Sequence, residues 1–171
     1  MKQLAFLSLL FAVLSIGWAG SARAQSLRLS GDFDYAAELS GREAVGTGGG
    51  GGLRIGTQLD LAIATLILEA GGSYHAFSGS DDANVWRGIV GGEVRIGKIL
   101  EPGVFAHVGV GRLSGDEEFT APTVDVGLVL DLTLVPLIDV GAHVAYDALL
   151  GSGDHDGFGW ITAGLHAALV I

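Results

Sequence analysis

The sequence predicts an all-β fold: an eight-stranded antiparallel up-and-down transmembrane β-barrel, preceded by a cleaved signal peptide. Three observations predict it. Eight segments alternate apolar and polar residues by twos, the period of a strand with one oily face. The connections between them are long and short in turn, the habit of an up-and-down barrel with an even strand number. The first segment, Ser26 to Leu39, is also far longer than the five or six residues usual in a soluble strand. A bilayer requires about 10 tilted residues per strand.

The chain starts with a positive Met1-Lys2, followed by an apolar run from Leu4 to Trp18 and an A-x-A cleavage site at Ala22-Arg23-Ala24. That is the pattern of a secretory signal peptide over residues 1–24, and it leaves 25–171 as one barrel domain. The run is short for a membrane anchor of about 20 residues. With no Cys in the chain, neither a lipid-modified cysteine nor a disulfide framework is available. The chain carries 9 basic and 19 acidic residues; without Lys2 and Arg23 the balance is 7 against 19. Such a chain lacks the Lys/Arg clusters that nucleic acid requires. Its 49% hydrophobic content argues equally against disorder.

The elements follow in order. The first strand sets Leu27, Leu29, Gly31, Phe33, Tyr35 and Ala37 against Arg28, Ser30, Asp32, Asp34 and Glu38. Ser40 to Gly52 is Gly-rich without periodicity and reads as a loop. It has no Gly-Lys-Ser/Thr, so it is no phosphate-binding loop. The second strand is Leu53–Ile63, with Arg54 and Asp60 on its polar face; a turn at Ala64-Thr65 follows. The third, Leu66–Phe77, carries Glu69, Ser73 and His75, and Ser78–Asn84 is a loop. The fourth, Val85–Gly97, sets Trp86, Val90 and Val94 against Arg87, Glu93 and Arg95. Lys98–Pro102 is a turn, Gly103–Arg112 the fifth strand with His107, and Leu113–Pro122 a loop. The sixth strand, Thr123–Thr133, opposes Val124, Val126, Leu128 and Leu130 to Asp125 and Asp131. After a tight turn at Leu134–Pro136, the seventh strand, Leu137–Leu149, holds Asp139, His143 and Asp147. Leu150–Gly159 is the last loop, and Trp160–Ile171 the eighth strand with His166.

Three features put the oily face outward, against a soluble barrel that would bury it. The oily faces carry no charge except Arg112 at a strand end, and a charge costs about 2–4 kcal/mol at mid-membrane but little at the interface. The polar face is rich in Gly, which makes room inside a narrow barrel. Phe33, Tyr35, Tyr74, Trp86 and Tyr146 fall at one level and form one aromatic girdle.

With the signal peptide, eight alternating strands and loop/turn alternation assembled, the whole of 25–171 resembles the small eight-stranded outer-membrane barrels of the OmpA/OmpX/OmpW type. The resemblance implies the outer membrane of a Gram-negative-type bacterium. It also implies outer-membrane lipid and lipopolysaccharide as surroundings, periplasmic chaperones and the barrel-assembly machinery as partners, and a monomer. Such barrels often end in an aromatic residue, whereas this chain ends in Ile171.

The lumen then collects Arg28, Arg54, Arg87 and Arg95 with Asp32, Asp34, Glu38, Asp60, Glu69, Glu93, Asp125, Asp131, Asp139 and Asp147, joined by His75, His107, His143 and His166. Eight strands leave an interior that side chains fill, so the expectation is a polar plug. Acids outnumber arginines, so some acids are expected to be protonated, hydrated or bound to a cation. The alternatives are a narrow cation-preferring pore, a metal site, and a lipid-modifying hydrolase built on Ser73 and His75, two apart on one face. The loop cluster Asp154-His155-Asp156 reads as a solvated acidic loop rather than a rigid ion site. The expected role is structural or surface-interacting, with no catalytic residues, no metal and no cofactor.

Overall fold

The computed structural model describes residues 25–39, 46–79, 83–115, 118–151 and 156–171. Residues 1–24, the first part of the Gly-rich loop, Asp116-Glu117 and Asp154-His155 lie outside the described residues. The elements are β1 (Gln25–Glu38), β2 (Thr47–Asp60), β3 (Ala64–Ser78), β4 (Ala83–Ile96), β5 (Leu100–Ser114), β6 (Phe119–Val135), β7 (Ile138–Leu149) and β8 (Phe158–Val170). Each strand pairs antiparallel with the next, and β8 closes on β1, from Arg28↔Val170 to Glu38↔Trp160. Closure leaves no sheet edge, as a hydrocarbon surround demands.

The eight expected strands are all present, but several boundaries move. The expected loop Ser40–Gly52 is the largest correction. Its last part, Thr47–Gly52, opens β2 and pairs with Ala37–Asp32 on one side and Ser78–Ser73 on the other. Glycine weakens a strand through entropy, yet here both flanking strands present backbone groups that would otherwise go unpaired in a membrane. At the other end, β2 stops at Asp60, and Leu61–Ile63, expected within the strand, make the turn, where Leu61 N–H donates to Ala64 O at 2.8 Å. Ala64-Thr65, expected as that turn, opens β3.

Other strands begin earlier than alternation alone suggests: β4 at Ala83, β5 at Leu100, β6 at Phe119 and β8 at Phe158. Proline does not stop them. Pro102 pairs with Leu130 of β6 beyond the point where β4 ends its pairing at Arg95↔Gly103, so its missing N–H is not needed there. Pro122 accepts at its carbonyl from Leu150 N–H, 2.8 Å. The β6–β7 turn is two residues, Pro136-Leu137, between the paired Val135 and Ile138; Leu137 takes φ 70°. The turns 61–63, 97–99 and 136–137 lie at one end of the barrel, the turn end, and the longer connections at the other, the loop end.

The oily face points out. Phe33 is 75% exposed, Leu53 70% and Leu165 69%, and the belt continues around every strand. A soluble monomer rarely exposes an apolar patch beyond a few hundred Å², so the medium around this belt is hydrocarbon. The polar face points into the lumen, where glycine makes the room. A Cβ on Gly91 would lie 2.5 Å from His107 Cδ2, and one on Gly71 2.6 Å from Arg54 Cγ. Neighbouring lumenal side chains occupy the space that these glycines leave.

Candidate functional site

The lumen is stacked in tiers. At the turn end, Arg28 Nη1 lies 2.6 Å from Asp139 Oδ2. Arg95 Nη1 is 2.7 Å from Asp131 Oδ2 and 3.4 Å from Asp139 Oδ2, and its Nε meets Glu93. His166 Nε2 contacts Asp131 Oδ1 at 2.6 Å, and Thr133 Oγ1 donates to Asp139 Oδ1 at 3.0 Å. Arg28 and Asp139 stand 111 residues apart in sequence, and barrel closure brings them together.

The middle tier is a relay of charged groups. Arg54 Nη2 is 2.6 Å from Asp32 Oδ2, and Arg54 Nε is 3.4 Å from Glu69 Oε1. His107 bridges Glu69 (Nε2, 3.0 Å) and Asp125 (Nδ1, 2.6 Å). Arg87 reaches Asp125 and Asp147 through Nη1 and donates from Nε to Ser73 Oγ at 3.0 Å. Thr162 Oγ1 donates to Asp147 Oδ2 at 2.8 Å. Nearer the loop end, Asp34 stands between two imidazoles, with His143 Nε2 at 2.8 Å and His75 Nε2 at 3.2 Å.

Every lumenal arginine and histidine that the sequence singles out therefore meets a carboxylate. Eight acids (Asp32, Asp34, Glu69, Glu93, Asp125, Asp131, Asp139 and Asp147) face four guanidinium groups and four imidazoles. Asp60 is not among them. It is exposed at the turn-end rim and accepts from Gln58 Nε2 at 2.9 Å and Thr65 Oγ1 at 3.3 Å. Glu38 is partly buried at the loop end. Glu101, which the sequence reading leaves in a turn, is buried in β5; it shares a phase with Phe105 and His107, and carrying the alternation back across Pro102 would find it.

Above the charged tiers lies a feature that the sequence reading misses. Ala36, Phe77, Ala83, Val85, Leu113, Phe119, Ala121, Leu149, Phe158 and Trp160 form one buried apolar cluster at the loop end of the lumen. Phe77 meets Phe158 edge-on with centroids 5.3 Å apart and Trp160 at 5.9 Å. The Arg87 guanidinium lies 5.2 Å from the Trp160 ring centre, so cap and ion-pair network join there. Between the tiers, Phe105, Val129 and Ala145 make a smaller apolar layer.

A lumenal cavity beside Arg28, Arg54, Glu69 and His107 measures about 10 Å³, room for about one water. Ser73 faces Arg87 while His75 faces Asp34, so each member of the suspected catalytic pair is engaged with a different group. Among the described residues, no three His, Asp or Glu side chains converge as metal ligands. Of the loop cluster, only Asp156 is described, and it is exposed. On the outer wall, Phe33, Tyr35, Trp86 and Tyr146 are exposed and Tyr74 is half-covered, its ring 4.4 Å from that of Trp86.

No family model matches the chain, and no curated protein matches it in sequence. Solved structures do match in fold. Neisserial surface protein A superposes with a TM-score of 0.63 at 14% identity, over 86% of this chain and 99% of that one. The outer membrane protein OprG from Pseudomonas aeruginosa gives 0.58 at 10% identity, over 88% and 98%. Ail, the attachment invasion locus protein of Yersinia pestis, gives 0.53 at 16% identity, over 86% and 97%. The chain thus has the fold of small eight-stranded outer-membrane barrels, as its strand pattern implies.

Proposed function

We propose that this protein is an integral outer-membrane barrel whose lumen is a structural plug and whose role is exercised at its surfaces, by its loops and its lipid-facing wall. The observation that carries this reading is the double obstruction of the lumen. An ion crossing it would have to pass the ion-paired tiers and then the apolar Phe77–Phe158–Trp160 cap. A hydrophobic constriction alone blocks conduction by excluding water. The outer membrane fits the likeness in fold, the apolar belt and the leader-like first 24 residues. Delivery by periplasmic chaperones, insertion by the barrel-assembly machinery and a monomeric state belong to the same reading.

The engaged state of Ser73 and His75 supports a non-enzymatic barrel. Single-channel recording of the purified protein in planar bilayers tests the proposal. The expected trace is silent. Steady cation-preferring conductance, with contaminating porins excluded, would replace the plug with the narrow-channel reading.

A further inference from the structure

One lumenal row just under the cap is built differently from the ion-paired tiers. Asp34 of β1 stands opposite Gly50 of β2 on one side and Gly164 of β8 on the other. Gly50 in turn stands opposite His75 of β3, and Gly164 opposite His143 of β7. The row therefore runs His75, Gly50, Asp34, Gly164, His143 across five strands. Its two glycines let it close. A Cβ on Gly50 would lie 2.5 Å from His75 Cδ2, and one on Gly164 would run into Asp34 Oδ1 and sit 3.0 Å from His143 Cε1. Each imidazole thus crosses a strand that has no side chain there and meets its own oxygen of one carboxylate.

The imidazoles are satisfied on one side only. Both meet Asp34 through Nε2, and the Nδ1 atoms of His75 and His143 are buried without a hydrogen-bond partner. A neutral imidazole tolerates this, because its single N–H can sit on Nε2, toward Asp34. A second proton changes both conditions. It creates a buried N–H at Nδ1 with nothing to accept it, and it asks one carboxylate to balance two cations. The surrounding charges offer no relief. Asp32 of β1 holds Arg54 of β2, and Asp131 of β6 holds Arg95 of β4 and His166 of β8. Arg87 of β4 engages Asp125 of β6 and Asp147 of β7, while His107 of β5 takes Asp125 and Glu69 of β3. Glu38 lies two lumenal positions nearer the loop end, opposite Trp160. The row also touches the cap. The His75 ring is 6.1 Å from that of Trp160 and 6.5 Å from that of Phe77, and His75 is 1% exposed. Water reaches its Nδ1 only if this packing gives way.

We propose that Asp34, His75 and His143 form an acid-sensitive latch on the cap. While the imidazoles are neutral the latch is shut. When both are protonated, it loosens the Phe77–Phe158–Trp160 packing and admits water to the loop end of the lumen. Imidazole is the side chain whose charge ordinarily changes between about pH 5 and pH 8, which sets the range of the response. The proposal rests on the plug reading, since a cap must be closed before it can be released. It adds a regulation to that reading: the cap closes the end that carries the longer connections, so the latch couples acidity to the surface at which the proposed role is exercised.

The test reads the cap from inside. Trp18→Phe combined with Trp86→Phe leaves Trp160, a member of the cap, as the only one of the three tryptophans. The protein is placed in phosphatidylcholine nanodiscs, where both barrel ends face water, and heat-modifiable gel migration identifies the folded barrel. Acrylamide, an uncharged quencher, is titrated against Trp160 fluorescence at about pH 8 and about pH 5. Weak quenching is expected at the higher pH, a severalfold larger quenching constant at the lower, and full recovery on return. His75→Gln and His143→Gln each leave Asp34 a single imidazole to balance, and each should flatten the response. His166→Gln, whose partner Asp131 keeps Arg95, should retain it. Quenching that does not change with pH when the row is intact would overturn the latch, and that result needs no further variant to fold. A response that survives both glutamine substitutions would overturn it by placing the titration elsewhere. Steady conductance at about pH 8 would overturn the plug reading, whereas a silent barrel with pH-independent quenching overturns the latch alone.

Discussion

Arg87 is the point at which the lumen can be broken most cleanly. Its side chain is 5% exposed and joins five strands: it comes from β4, donates to Ser73 of β3, pairs with Asp125 of β6 and Asp147 of β7, and lies over Trp160 of β8. Arg87→Ala leaves Asp125 with His107 and Asp147 with the Thr162 hydroxyl alone. A buried carboxylate stripped of its cation costs about 3–5 kcal/mol. The exposed Arg112–Glu118 pair gives the scale for an ion pair without burial, about 0–1 kcal/mol. Urea unfolding in phosphatidylcholine vesicles, followed by fluorescence and gel migration, measures both. Arg87→Met combined with Asp147→Asn removes both charges, and it should recover on the order of 1–3 kcal/mol of the single-variant loss. A loss below about 1 kcal/mol for Arg87→Ala would show that the site is hydrated rather than buried. Strict additivity in the double variant would show that Arg87 and Asp147 are not coupled, and the ion-pair account of the lumen would fail.

Further outcomes follow from the wall, the packing and the turn. Val126→Arg, on the outward face of β6, should cost about 2–4 kcal/mol, whereas Ile96→Arg, at the turn end of β4, should cost about 0–1 kcal/mol in the same unfolding assay. Gly91→Ala places a Cβ 2.5 Å from the His107 ring and closer still to the Ala106 carbonyl, so it should lose about 1–3 kcal/mol; Gly88→Ala, with open space, should be near neutral by the same measurement. Leu137 takes φ 70° right after Pro136, at the turn position that favours glycine. Leu137→Gly should therefore raise the unfolding free energy by about 1 kcal/mol, and a loss instead would show that the exposed leucine side chain matters more than its backbone strain.

The strands are legible because a two-sided environment leaves a two-residue period. Thr123–Thr133 could hardly be read otherwise, with Val124, Val126, Leu128 and Leu130 on one phase and Asp125 and Asp131 on the other. Alternation ceases to inform where the two environments become alike, and the errors sit there. Gly48–Gly52 has no side chains to alternate, so its strand is dictated wholly by the backbones of β1 and β3. Phe77, Val85, Leu113 and Trp160 share the lumenal phase with His75, Arg87, Gly111 and Thr162, yet they are apolar, since at that level the lumen is closed by a cap rather than by ion pairs. A reading that equates oily with outward cannot see them; one that carries the phase past each polar run can. The ion pairs differ in kind. Phase says that Arg28 and Asp139 both point inward, but their level depends on how the registers of β1, β8 and β7 accumulate around the closed barrel, and no local spacing encodes that sum. The inventory of types is independent of register: strand phase alone collects four arginines and four histidines with ten acids. Which acids enter the network is not, because strand bounds and register leave Asp60 on the exposed turn-end rim and bring Glu101 into the buried interior, and buried carboxylates need partners at their own level.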